Sequence, residues 1–147
     1  MLFVGSDHAG FDLKSKILDD LKARKIDAED CGTFSSESCD YPTFAEEVCL
    51  NVSKNPGDLG LLICGTGVGM SIAANKMTGI RAACVSEEKS AATAREHNNA
   101  QVLCLGARII AFDKAKLCVN AFLNARFDTE NPRHQRRIEL ISELEGK

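Results

Sequence analysis

Leu61-Leu62-Ile63-Cys64-Gly65-Thr66-Gly67-Val68-Gly69 decides how this chain folds. An apolar run ends in a cysteine, alternate glycines follow, and Met70 to Lys76 continues as a helix-forming run. Strand, glycine turn and helix form the unit with which α/β proteins present backbone N–H groups to an anion. The spacing is not the dinucleotide fingerprint, whose third glycine would fall at Met70. It is not a P-loop either, since no Gly-Lys-Ser/Thr follows. The Cys64 thiol stands beside the helix start, where the dipole favours negative charge. A base and an oxyanion cradle in one segment are the minimum for moving a proton next to a carbonyl.

The same alternation runs outward in both directions. Leu2 to Gly5 reads as a strand, and Phe11 to Lys25 as an amphipathic helix with a stripe of Phe11, Leu13, Ile17, Leu18 and Leu21. Ile26 to Cys31 is a second strand and Gly32 to Pro42 a serine-rich loop. Thr43 to Ser53 reads as a helix, with Thr43 and Glu46 as its capping box. A turn at Asn55 to Asp58 leads into the strand Leu61 to Cys64, whose helix runs to about Met77. Ile80 to Val85 is the fourth strand, and Ser86 to Glu96 a helix with Ser86 as N-cap. Gln101 to Leu105 is the fifth strand, followed by a helix over Asp113 to Asn124. Phe127 to Pro132 is irregular, and His134 to Glu145 is the last helix. The pattern predicts an α/β protein: a five-stranded parallel sheet with helices on both faces, a three-layer αβα, Rossmann-like fold. One domain is expected over residues 1–147.

Composition narrows the function classes. With 44% hydrophobic and 27% charged residues, the chain is that of a soluble globular domain. A net charge of −3, one tyrosine and no tryptophan argue against nucleic-acid binding. No apolar stretch approaches the roughly 20 residues of a membrane span. Met1 to Val4 reads as a strand rather than a signal peptide, so a cytoplasmic protein is expected. Seven scattered cysteines, none in CxxC spacing, argue against a zinc ribbon or a thiol redox site. Most, such as Cys84 in Ala82-Ala83-Cys84-Val85, read as small core residues.

Ligands of such sheets bind at the carboxyl ends of the strands. Ser6, Asp7 and His8 follow the first strand, Cys64 and Thr66 close the third, and one helix runs out at His97-Asn98. A cysteine and a histidine are therefore expected at the same end of the sheet. Arg133-His134-x-x-Arg137 opens the last helix, with Arg137 on the same face as Arg133 and His134. Positive charge there opposes the dipole unless an anion offsets it, and a phosphate monoester fits guanidinium groups well. Arg136 points to another side.

These segments together resemble the type B ribose 5-phosphate isomerases, in the family shared with galactose 6-phosphate isomerase subunits. The similarity rests on Gly5-Ser6-Asp7-His8-Ala9-Gly10, Asp40-Tyr41-Pro42, Ile63 to Gly69 running into Ser71 to Lys76, and Gly79 to Ala82. It continues with Arg95-Glu96-His97-Asn98, Gly106-Ala107-Arg108 and Arg133 to Arg137. The resemblance implies an aldose–ketose isomerase in which Cys64 is the proton-transfer base. It implies that His97 opens the sugar ring with Asp7 nearby. Thr66 and the turn Gly65, Gly67, Val68 and Gly69, with Ser71 in the following helix, would hold the enediolate end of the sugar. His8, Arg108, Arg133, His134 and Arg137 match phosphate-binding positions, and Tyr41 and Asn98 match sugar contacts. No metal or cofactor is implied. Members are homodimers, sometimes tetramers, with sites built from two subunits. Two departures stand out: Ser6 where cysteine is frequent, and Asn131-Pro132 where glycines are common. Allose 6-phosphate and galactose 6-phosphate are alternative substrates. A non-catalytic sugar-phosphate or nucleotide sensor on the same fold is the rival class.

Overall fold

The computed structural model describes residues 1–146. Its elements are β1 (Leu2–Ser6), α1 (Phe11–Ala23), β2 (Ala28–Asp30), α2 (Tyr41–Lys54), β3 (Leu59–Cys64) and α3 (Val68–Asn75). They continue with β4 (Ala82–Cys84), α4 (Glu88–Glu96), β5 (Val102–Gly106), α5 (Phe112–Asn124) and α6 (Pro132–Leu144). All strand pairings are parallel, in the order β2-β1-β3-β5-β4. The chain leaves β1 towards one edge, returns past it to β3, skips a position to β4 and comes back to β5. Right-handed crossovers then dictate which helix covers which face. One core packs Leu13, Ile17 and Leu21 of α1, Ala91 of α4 and Val119 and Phe122 of α5 against Val4, Ile63 and Leu105. The other packs Val48 and Val52 of α2 and Met70 and Ala74 of α3 against Phe3, Leu62, Cys64 and Cys104. Successive strand residues alternate between the two cores, as the period of two requires. The strands are apolar on both sides because both faces are covered.

Several boundaries differ from expectation. Helix α2 starts at Tyr41 with Asp40 as N-cap and Pro42 in its first turn, so Thr43 lies inside the helix and caps nothing. Proline's fixed φ suits a first turn, where its missing N–H is not needed. Glu87, not Ser86, caps α4, its carboxylate accepting the Ser90 N–H at 3.0 Å. Helix α6 begins at Pro132, ahead of the expected His134, because Asn131 caps it by accepting the Arg133 N–H at 3.2 Å. Among the described residues no helix is long and apolar enough to cross a membrane.

Candidate active site

Cys64 is the last residue of β3, and its side chain is only 5% exposed. Its Sγ accepts the N–H of Gly67 at 3.2 Å. That contact depends on Gly67 adopting φ +80° at the start of α3, a left-handed conformation that costs other residues about 1–2 kcal/mol. The Thr66 Oγ1 accepts the N–H of Val68 at 3.3 Å, and among the described residues its own O–H has no acceptor. Ser71 is used inside the first turn, its Oγ donating to the Val68 carbonyl at 2.8 Å. Tyr41, opening α2, packs against the same turn. A Cβ on Gly69 would fall 2.6 Å from the ring Cζ, so only glycine admits this approach.

The loop after β1 joins this end of the sheet. Asp7 is buried; its N–H donates to the Ile63 carbonyl at 3.2 Å and its Oδ1 accepts the Gly10 N–H at 3.0 Å. It thereby pins the start of α1 beside the end of β3. His8 Nδ1 accepts the N–H of Cys39 at 3.2 Å, which puts the proton of the neutral ring on Nε2. Arg108 follows β5; its N–H donates to the Gly65 carbonyl at 2.9 Å and its guanidinium lies over Gly65. Among the described residues Arg108 forms no ion pair. Asp7, His8, Tyr41, Cys64, the turn to Ser71 and Arg108 thus gather at the carboxyl end.

His97 and Asn98 do not. They end α4, and a helix that follows a parallel strand runs back towards the amino end of the sheet. Arg81, just ahead of β4, donates from Nε to the Asn98 carbonyl at 2.8 Å. The His97 ring stacks on the His134 ring, centroids 4.2 Å apart and planes 15° apart. His134 Nε2 faces Asp128 Oδ2 at 3.7 Å, and the Asp128 N–H donates to the Glu96 carbonyl at 2.9 Å. Arg133 Nε donates to Asn131 Oδ1 at 3.2 Å, and Arg133, Arg136 and Arg137 are all exposed. The expectation of a cysteine and a histidine at one end of the sheet therefore fails within a single chain. At about 3.3 Å per residue, the length of β3 separates the two groups by on the order of 15–20 Å. The phosphate-binding candidates divide the same way: His8 and Arg108 lie with Cys64, and Arg133, His134 and Arg137 lie with His97. A cleft of about 440 Å³ opens at the amino end, lined by Leu59, Arg81, Arg95 and Gln101, so cavity size does not mark the thiol.

Four other cysteines are buried in the core. Burial pushes the thiols of Cys31 and Cys49 up to about 11 and raises Cys104 and Cys118 as well. These are inert core groups. Cys84 is a correction: it ends the edge strand β4 exposed, with Sγ 3.7 Å from the Thr66 carbonyl. The apolar run around it belongs to a strand only three residues long, and Cys84 lies at its open end. Cys39, Asp128 and Asn131 were missed in the sequence. Asn131-Pro132 did carry a signal, an N-cap followed by proline at the first helical position.

The sequence model of the Ribose/Galactose Isomerase family matches residues 2–141. Ribose-5-phosphate isomerase B of Escherichia coli (strain K12) is 48% identical over 143 residues, 97% of this chain and 95% of that protein. The structure of a Clostridium thermocellum ribose-5-phosphate isomerase B matches with a TM-score of 0.94 at 44% identity, covering 99% of this chain and 97% of that one. The Mycoplasma genitalium enzyme, solved with bound ribulose-5-phosphate, matches with a TM-score of 0.93 at 45% identity over 99% of this chain and 96% of that one. Sheet, glycine turn and whole-length similarity agree: the chain belongs to the ribose/galactose isomerase family, and it is an isomerase.

Proposed function

We propose that this chain interconverts ribose 5-phosphate and ribulose 5-phosphate through a cis-enediolate. The observation that carries this reading is the Cys64 sulfur, held at the end of β3 by the Gly67 N–H beside the amides of a helix start. Sγ takes the proton from C2 of the open-chain aldose and returns it to C1. The electron pair of the broken C–H bond forms the enediol double bond, and the carbonyl oxygen O1 becomes the enediolate oxygen. The O2 hydroxyl proton then passes to O1, so that when the thiol returns its proton to C1 the electron pair left on O2 forms the new C2 carbonyl. The Thr66 O–H and the amides of Gly65 to Gly69 hold the developing charge. Tyr41 and Asn98 contact the sugar.

The sugar arrives largely cyclic. His97, with Asp7 on the opposite side of the site, moves the ring-opening proton. Because His97 lies at the far end of its own sheet, the site is shared: the His97 end of one copy closes over the Cys64 end of a second. His8 and Arg108 then meet Arg133, His134 and Arg137 of the other copy around one phosphate, at about −1.5 to −2 charge. Exposed apolar side chains support the association. Val68 and Ile72 of α3 and Ile109 stand uncovered near the thiol, and Leu140, Ile141 and Leu144 along α6. A homodimer in the cytoplasm, serving pentose phosphate metabolism, fits the substrate.

The test is conversion of ribose 5-phosphate in metal-free buffer, wild type beside Cys64→Ala. Activity in the wild type alone is expected. Inactivity of both on pentose and hexose phosphates would leave the sensor alternative.

A further inference from the structure

One buried charge lies outside this machinery. Lys14, in the second turn of α1, is 1% exposed, and its Nζ sits 2.5 Å from Asp30 Oδ1. No other carboxylate pairs with it among the described residues. The rings of Phe11 and Phe34 flank the ammonium at 5.6 and 5.4 Å. Burying a lone ammonium is costly unless geometry and partners compensate. The same Asp30 Oδ1 accepts the N–H of Gly32 at 2.9 Å. Gly32 opens the segment that ends at Asp40. There its carbonyl accepts the Ser6 N–H at 2.7 Å, and the Thr33 N–H donates back to the Ser6 carbonyl at 2.8 Å. The segment returns to the site twice: the Cys39 N–H meets His8 Nδ1, and Tyr41 packs on Gly69.

From this chain of contacts we infer that Lys14 is a positioning residue. Through Asp30 and Gly32 it holds the 32–40 loop, which selects the His8 tautomer and seats Tyr41. The loop's one large apolar side chain, Phe34, is exposed rather than buried, so burial contributes little to holding its conformation. The inference rests on the functional reading above for its kinetic consequence, but not for its structural one. With Nδ1 accepting from Cys39, His8 presents Nε2–H to an anion; a loosened loop lets the ring exchange tautomers and turns that donor away. The Lys14 ammonium never touches the reacting carbons, so its loss acts on binding rather than on proton transfer.

Lys14→Met keeps the aliphatic stem and removes the charge, leaving Asp30 at the surface to be hydrated. The expected result is a KM for ribose 5-phosphate raised about tenfold or more, since losing a hydrogen bond to a charged phosphate weakens binding roughly ten- to a hundredfold, with kcat changed by less than about threefold. Imidazole nitrogen-15 spectra should report one His8 tautomer in the wild type and a mixture in Lys14→Met. Lys14→Arg, which keeps the ion pair, should restore both. Should Lys14→Met not fold, Asp30→Asn keeps an acceptor for Gly32 and weakens the hold on the ammonium, and it should raise KM in the same direction. An unchanged KM with an unchanged His8 tautomer overturns the inference, as does a parallel fall in kcat and thermal stability that Lys14→Arg leaves uncorrected. A wild type without isomerase activity would sink the functional reading alone, because the His8 spectra still decide the role of Lys14.

Discussion

Two inactive variants should make one active site between them. Within a chain, Cys64 closes β3 at the carboxyl end of the sheet, and His97 closes α4 at the amino end. The register Gly60↔Val102 to Cys64↔Gly106 keeps the two ends a full strand apart. At about 3.3 Å per residue that is on the order of 15–20 Å, longer than a pentose phosphate. In a two-fold dimer with shared sites, each site takes Cys64 from one copy and His97 from the other. Cys64→Ala and His97→Asn homodimers then carry a defect in both sites. A heterodimer of the two carries both defects in one site and none in the other. Co-expression with different affinity tags, followed by purification through both, isolates that species. Its turnover of cyclic ribose 5-phosphate per dimer should be about half that of the wild type, against losses of about 10²-fold or more in each homodimer. A heterodimer no more active than the mean of its parents would refute the shared site, and with it the role given to the His97 end.

Gly69→Ala drives a Cβ to 2.6 Å from the partly exposed Tyr41 ring, so stability should fall by about 0.5–2 kcal/mol as the aromatic is displaced, the overpacking cost of about 1–3 kcal/mol being offset by about 0.5–1 kcal/mol from alanine within α3. The urea midpoint measures this, and adding Tyr41→Ala should recover part of the Gly69→Ala loss; an unchanged midpoint in Gly69→Ala would mean the ring is not seated there. Burial raises the Cys49 thiol to about 11, so between about pH 8.5 and 11 the unfolded chain holds fewer protons than the folded one. Stability is therefore full below the ordinary thiol range and falls as pH rises through that window, by up to about 1.4 kcal/mol per pH unit. Cys49→Ala should flatten the slope of urea stability against pH, and an equal slope would show the thiol is not sealed.

The segment around Cys64 was legible because three constraints coincide there. An apolar strand, alternate glycines and a helix-forming run agree, and the structure has strand, left-handed Gly67 and helix in that order. Strand number and parallel pairing followed from the alternation of periods. Strand order was not legible: β5 lies between β3 and β4, and nothing in the local residues of β4 or β5 specifies that neighbour. Helix starts slipped where the effective cap was one residue away from the expected one, Glu87 for Ser86, or where a proline sits in the first turn, as Pro42 does in α2 and Pro132 at the start of α6. The end of the sheet that His97 occupies is a topological fact. It follows from the return direction of α4, which residue chemistry near His97 does not encode. Lys14 was hidden for another reason: a lysine in an amphipathic helix reads as solvent-facing until the third dimension brings Asp30 to it.

The most direct measurement is proton NMR of ribose 5-phosphate incubated in D₂O with wild type and with Cys64→Ala. Transfer through a thiol and an enediolate predicts that the wild type forms ribulose 5-phosphate carrying deuterium at C1. Cys64→Ala should give neither product nor exchange at C2, while still holding a phosphate ligand. Deuterium exchange at the wild-type rate in Cys64→Ala would contradict the account, because the proton would then be moved by another group.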